Sequence, residues 1–442
     1  MLAVYSLPII LANVFQQVYA LVDMAIVGRL VGYEALSGVG ATNGLSFLLF
    51  GFASGVTAGF GICVAQFFGA KDYASLRRSV ATSLRLSLQL SLALTAIALA
   101  FCGPMLRLMG TPEAVFGYSL TYISVIFAGT LAQVAYNMMA CILRSLGDSR
   151  TPLLVLIFSV TLNVGLDLLF IGVFGWGVAG AAWATTISQG ISAVISAAYA
   201  FRHYPMIRPQ RGDWHLTRAF AWHHLRIGLP MAFQFSITAV GILLLQAALN
   251  RFPVTYMAGF TAANKVQNLG ATVSIAFGMA MANYAGQNIG AGRMDRVRAG
   301  VRASLWITMV VCVVCAAVMV VFARPLTALF VGETGAGAAV AAGSLAEIFE
   351  AAREYLVCSA VFFPFLYVIF IFRNALQGIG KPFWPLMGGV FELVIRAFAA
   401  AFLPQRFGYN GIVLIDTLAW VGAALLLVIA YFCQIHRTNP KY

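Results

Sequence analysis

Four acidic side chains, Asp23, Asp167, Glu392 and Asp416, stand inside stretches of sequence that are otherwise almost wholly apolar. Ionisable groups in such surroundings are costly and mark ion or substrate pathways by default. Glu392 has Arg396 four residues on, a spacing that puts both charges on one helix face, so this pair reads as an internal structural ion pair. Asp416, six residues after Asn410, reads equally as a capping or interfacial carboxylate. Asp23 and Asp167 have no basic residue three or four positions away. Brought together in a low-dielectric interior, two such carboxylates hold one proton at neutral pH or bind a small cation such as sodium. Asn163, one turn before Asp167, adds a carbonyl oxygen to that set. Pro8, upstream of Asp23 in the same stretch, removes one helical hydrogen bond and permits a bend, which makes the segment a candidate moving part.

Other chemistries find little support. The five histidines, His203, His215, His223, His224 and His436, are expected in loops or tails, and there is no HExxH. Cys312 and Cys315 form a CxxC with no histidine nearby, so no metal centre is expected. The seven cysteines all lie in apolar segments without disulfide-framework spacing and read as small core residues. No phosphate-binding loop occurs, so energy for any transport would come from an ion gradient, without a cofactor.

The elements that must position the carboxylates are long apolar spans. Of 442 residues, 61% are hydrophobic and 9% charged, against roughly 25% charged in an ordinary soluble domain. Twelve spans are expected, at 3–27, 38–64, 79–102, 116–142, 153–174, 178–201, 227–249, 257–286, 299–323, 355–372, 383–403 and 411–433. Each is long enough to cross ~30 Å of hydrocarbon. The chain is therefore expected to be an all-α integral membrane protein. The net charge of +13 is scattered singly between spans rather than gathered into the basic face that nucleic acid needs, so no nucleic-acid partner is expected. Eighteen Lys and Arg fall in connections after even-numbered spans or in the tail (Arg437, Lys441), Arg373 among them, and six in connections after odd-numbered spans. That bias places both termini in the cytoplasm.

The longest polar connection, Arg202 to Arg226, lies near the middle of the chain and divides it into an N-lobe at 1–202, a cytoplasmic loop at 203–226 and a C-lobe at 227–442. A shift of 221 residues pairs Gly38 with Gly259, Asn43 with Asn264, Gln66 with Gln287, Gly69 with Gly290 and Arg77 with Arg298. The halves read as a duplication, and because six is even the repeats are parallel, around a central cleft. Leu244 stands opposite Asp23 and no carboxylate stands opposite Asp167, so the candidate site belongs to the first half alone.

The runs PIILANVFQQVYALVDMAIVGRLVG at 8–32, AQFFGAKD at 65–72, ILRSLGDSRTPL at 142–153, LNVGLD at 162–167 and ALQGIGKP at 375–382 resemble the multidrug and toxic compound extrusion (MATE) transporters. The resemblance covers essentially the whole chain. It implies a twelve-helix, two-lobed, monomeric antiporter of the cell membrane that exports small organic cations in exchange for protons or sodium. It also implies that Asp23, Asn163, Asp167 and Thr185 form the coupling site, and that Gln16, Tyr19 and the bending Pro8 belong to the substrate path and its gating. A branch of the family carries acidic residues in helices seven and ten. Span seven here offers Gln234 and the matching part of span ten reads VIFIFRN, so no C-lobe cation site of that kind is expected and Gln234 is left to the substrate path. The rival within the wider superfamily is a flippase for lipid-linked saccharides. It would need several intramembrane basic residues, for which Arg85, Lys265 and Arg396 are the candidates.

Overall fold

Inside a bilayer no water satisfies the backbone, so an apolar run of this length closes its hydrogen bonds within itself as a helix. The structure, a computed structural model, describes residues 2–331 and 344–437. Lys441 lies outside the described residues, as do the side chains of His436 and Arg437. Among the described residues there is no strand. The helices are α1 (Leu2–Leu30), α2 (Tyr33–Ala41), α3 (Asn43–Gly69), α4 (Tyr73–Leu108), α5 (Glu113–Ala128), α6 (Thr130–Ser145), α7 (Arg150–Asp167), α8 (Gly177–His203), α9 (Arg218–Leu249), α10 (Val254–Gly290), α11 (Met294–Val321), α12 (Ala323–Val331), α13 (Ser344–Gly378), α14 (Phe383–Phe407) and α15 (Tyr409–Arg437). A π-helical turn, Leu168–Val173, continues α7.

Ten of these helices are singly long and apolar enough to cross a membrane, and α5 with α6 makes a further span bent by 50°. The bend falls at Gly129, where a methyl group would overlap the Thr186 side chain, so the kink seats directly on α8. With α10, which is long but more polar, the twelve expected spans are all helical, and α2 and α12 are short connecting helices. The protein is thus an all-α integral membrane protein of twelve spans in two lobes.

Polar side chains fix the helix ends. Asp148 accepts from the Arg150 and Thr151 N–H groups at 3.0 and 2.9 Å, which starts α7. Asp72 accepts from the Ser75 N–H at 3.0 Å and starts α4. The Ser75 hydroxyl and N–H hold the Asp72 carboxyl below its ordinary range.

The described contacts divide the chain into two compact units. One comprises Val4–Ser236 with Gly286–Arg293, the other chiefly residues 237–285 and 294 onward. The core of the first gathers Val56, Phe60, Leu76, Met138 and Ile142 from three helices, and also Ile207 from the connection between α8 and α9. That connection departs from the expected open loop at 203–226. Helix α8 runs to His203 and α9 begins at Arg218, and two 3-10 turns, Pro205–Ile207 and Arg211–Trp214, occupy much of the interval. Three arginines of α4 strap it down: Arg77 to Asp213 at 3.4 Å, Arg78 to the Thr217 hydroxyl at 2.9 Å and Arg85 to the Trp214 carbonyl at 2.9 Å. His223 and His224 correspondingly lie on α9 rather than in a loop. His224 is buried between the Ser79 hydroxyl (2.9 Å) and the Phe220 carbonyl (2.8 Å). The polar start of α9 is an amphipathic helix end docked on α4, which a hydropathy reading takes for a loop.

In the second unit Glu392 and Arg396 do approach, at 3.7 Å, but each has a shorter contact elsewhere: Arg373 to Glu392 at 2.7 Å and Arg396 to Asp416 at 2.7 Å. The expectation for Arg373 is corrected. It is not a residue of a connection but a buried member of α13, and the four charges balance and tie α13, α14 and α15 together. Asp416 is a partner in that network rather than a cap. Of the cysteines, Cys433 is exposed rather than a core residue.

Candidate functional site

Asp23 sits on α1, seven residues before its end, and Asp167 closes α7, where the π-helical turn begins. A π turn inserts a residue into the helical ladder and re-aims the side chains around it. The two carboxyl groups, 144 positions apart, come within hydrogen-bonding reach of one another. Both are buried, with Asp23 8% and Asp167 0% exposed. A carboxylate has no proton to donate, so a hydrogen bond between two carboxyl groups needs one proton on the pair. Replacing that proton by a small cation would serve the same purpose. Among the described residues the buried Asp23 Oδ1 has no hydrogen-bond partner and is thus a spare acceptor.

Thr185 of α8 stands beside them as a hub. Its hydroxyl is 3.2 Å from the Tyr19 hydroxyl of α1 and accepts from the Asn163 amide of α7 at 3.4 Å. Asn163 is itself buried. The residues read as a coupling set, Asp23, Asn163, Asp167 and Thr185, are therefore brought together by three helices, with Tyr19 among them. The wall behind them is apolar: Val27 and Ile171, one turn beyond each aspartate, are buried in a common cluster with Tyr122 packed against it. Tyr122 of α5 is the residue that sequence reasoning missed, since its hydroxyl lies in the field of both carboxylates. The available signal was a phenol inside the fourth span, a weak one in a chain with 16 tyrosines.

The remaining candidates stand apart from this cluster. Gln16 is exposed on α1 and takes no part in these hydrogen bonds, and Pro8 lies within α1, which continues through it unbroken. Gln234 is buried on α9, while Glu392 and Arg396 belong to the second unit. Of the intramembrane basic residues, Arg85 serves the strap described above, Lys265 lies over the Phe330 ring at 5.5 Å, and Arg396 is salt-bridged. Among the described residues no group of three or more His, Cys, Asp or Glu side chains converges as a metal site would.

Twelve spans in two lobes, one of them holding a buried pair of acids, define a class of membrane transporter, and comparison with known proteins places the chain within it. The MatE family model matches residues 8–169 and 230–402. A probable multidrug resistance protein of Bacillus subtilis, YpnP, is 30% identical over 414 residues, 93% of this chain and 89% of its own. A second from the same organism, YoeA, is 27% identical over 98% of this chain and 92% of its own. Among solved structures, an outward-facing multidrug resistance MATE family transporter of the MOP superfamily shares the fold with a TM-score of 0.90 at 23% identity, covering 100% of this chain and 96% of that one. The chain belongs to the MATE family of membrane transporters.

Proposed function

We propose that the protein exports lipophilic organic cations from the cytoplasm in exchange for protons or sodium by alternating access, and that Asp23 and Asp167 carry the coupling ion. The observation that supports this reading is the approach of two buried carboxyl groups from α1 and α7, since two carboxyl groups placed together in a low-dielectric interior favour a shared proton or cation. Asn163 and Thr185 offer the further oxygen ligands. The names of the Bacillus relatives support drug-like substrates, and a chain with 13% aromatic residues suits flat cations held by apolar burial and cation–π contacts. Loading the pair from outside, where the driving ion is concentrated, changes the charge that α1 carries near its outer end. The ion then acts through its different affinity for the two states of the transporter. The flippase alternative draws no support from Arg85, Lys265 or Arg396, each of which is engaged by groups of the protein itself.

The test is uptake of a fluorescent organic cation into proteoliposomes, with the pH and sodium gradients imposed separately. Wild-type protein should accumulate the cation with one of the two gradients and not with neither. Asp23→Asn and Asp167→Asn keep the shape and remove the charge, and should lose that dependence, a linkage of about 5- to 150-fold in typical coupled systems. Wild-type rates and unchanged gradient dependence in both variants would refute the coupling role.

A further inference from the structure

The polar start of α9 has two unlike sides. On one, Phe220 lies beneath the Arg78 guanidinium of α4 at 4.5 Å and stacks on Phe67 of α3, and His224, one turn on, is buried. On the other, Arg218, Trp222 and Arg226 follow at four-residue intervals and so share a helix face. All three are exposed, Trp222 by 62%. Helix α9 is 32 residues long, whereas about 20 suffice to cross the hydrocarbon, and its apolar part opens at Ile227. Residues 218–226 therefore stand at headgroup depth. Two turns past Arg226 the same face carries Phe233, 51% exposed, at acyl-chain depth. The chain supplies no counter-charge for this side. From Arg202 to Arg226 five arginines, all exposed, meet one acid, Asp213. That acid is already engaged, by Arg77 at 3.4 Å and by the Gln210 N–H at 2.8 Å. Among the described residues none of the five arginines has a carboxylate partner.

We propose that Arg218, Trp222 and Arg226 form a binding site for anionic phospholipid, the two guanidinium groups taking phosphates and the indole lying between them among the headgroups. This goes beyond the transport reading and does not rest on it. A guanidinium presents parallel N–H donors that match a phosphate, and it stays charged at every physiological pH. An indole, apolar in its body with one N–H donor, is at home where hydrocarbon gives way to headgroups. The two arginines are eight positions apart, about 12 Å along the axis, so they address phosphates of neighbouring lipids rather than one. The exposed Phe233 below them offers apolar surface to the acyl chains of the same lipids, which neither a nucleic acid nor an acidic protein would use. Because the opposite side of the helix is already docked through Phe220 and His224, the face is ordered before a lipid arrives, and little conformational entropy opposes binding.

A titration of the detergent-solubilised full-length protein with brominated phosphatidylglycerol tests the site, with quenching of Trp222 followed as the difference between wild type and Trp222→Phe. Half-quenching should need far less phosphatidylglycerol than phosphatidylcholine brominated alike. Arg218→Gln with Arg226→Gln should raise the half-quenching concentration about 25-fold, about fivefold for each basic residue. Arg251→Gln, at an exposed arginine of the turn between α9 and α10, should leave it unchanged. Added salt should weaken binding in the wild type, because screening shortens the reach of the charges, and this arm needs no arginine variant to fold. Equal quenching by the two lipids, an unchanged half-quenching concentration in the double variant, or no response to salt overturns the site. Displacement of the lipid by an equal concentration of free glycerol phosphate would reveal a soluble-anion site and overturn it as well.

Discussion

At the scale of single residues the protein treats its buried charges in two different ways. In the second unit two arginines and two acids neutralise one another at distances down to 2.7 Å. In the first, two buried acids, Asp23 and Asp167, are set against each other, the pair to which the proposed function assigns the coupling ion. The first arrangement predicts a loss of stability and the second a loss of coupling. Glu392→Gln leaves Arg373 and Arg396 short of a counter-charge, and removing one partner of a buried pair typically costs about 3–5 kcal/mol. Denaturation of the purified variant should show a loss of that order, while any remaining folded protein keeps the wild-type response to gradients. A Glu392→Gln variant as stable as wild type would contradict the structural role. Thr185→Val removes the hydroxyl that joins Tyr19 and Asn163 without changing the volume much. It should fold normally and respond more weakly to the driving gradient in the liposome assay. The aspartates were legible in the sequence because a carboxylate in an apolar run is conspicuous whatever surrounds it. Tyr122 was not, because a tyrosine in a span is ordinary and only the packing of α5 brings this one to the pair.

At the scale of the helices, hydropathy was a good guide to the spans and a poor one to their ends. A run of 20 apolar residues has one physical outcome in a bilayer, so the count of twelve could be read without knowing the packing. The stretch from Arg218 to Arg226 reads as polar, and its helical state depends on α4 offering Ser79 and the strap arginines. Arg373 was misplaced for a related reason, since its counter-charge, Glu392, is 19 residues away on another helix. Repeat matching located AQFFGA and GQNIGA but not the fact that they touch, Gly69 against the Gln287 carbonyl. Caps permit a prediction at this scale. Asp72→Ala should cost about 1 kcal/mol at the start of α4, seen as faster exchange of the Ser75 amide. Because the folded carboxyl titrates below its unfolded value, the wild-type cap is present above pH about 4 and is lost as the pH falls through the lowered value. Equal exchange in the variant and wild type at neutral pH would show that Asp72 does not cap the helix. The strap makes a second prediction. A connection tied by Arg77, Arg78 and Arg85 and anchored by the fully buried Ile207 should resist proteases. Arg78→Ala with Arg85→Ala should make cleavage between Tyr204 and Thr217 markedly faster, and equal cleavage rates would show that the strap is not what protects it.

At the scale of the molecule, the first unit does not end where the first half of the sequence ends. It takes in the start of α9 and, after an interval of 49 residues assigned to its neighbour, the segment Gly286–Arg293. Folding order during synthesis is constrained accordingly. A ribosome that has released only the first eight helices has delivered a unit whose α3 still exposes its glycine face, since Ala232, Gly228 and Gln287, which pack on Gly55, Gly59 and Gly69, are not yet made. The first lobe is therefore expected to complete its packing only when sequence that belongs by position to the second has been made. A gene cut after the codon for Thr217 makes the point measurable. The fragment 1–217 expressed alone should be cleared by membrane proteases, and co-expression of 218–442 should rescue it, because the missing wall arrives on the other chain. Equal abundance of the fragment with and without its complement would mean that the first lobe matures on its own.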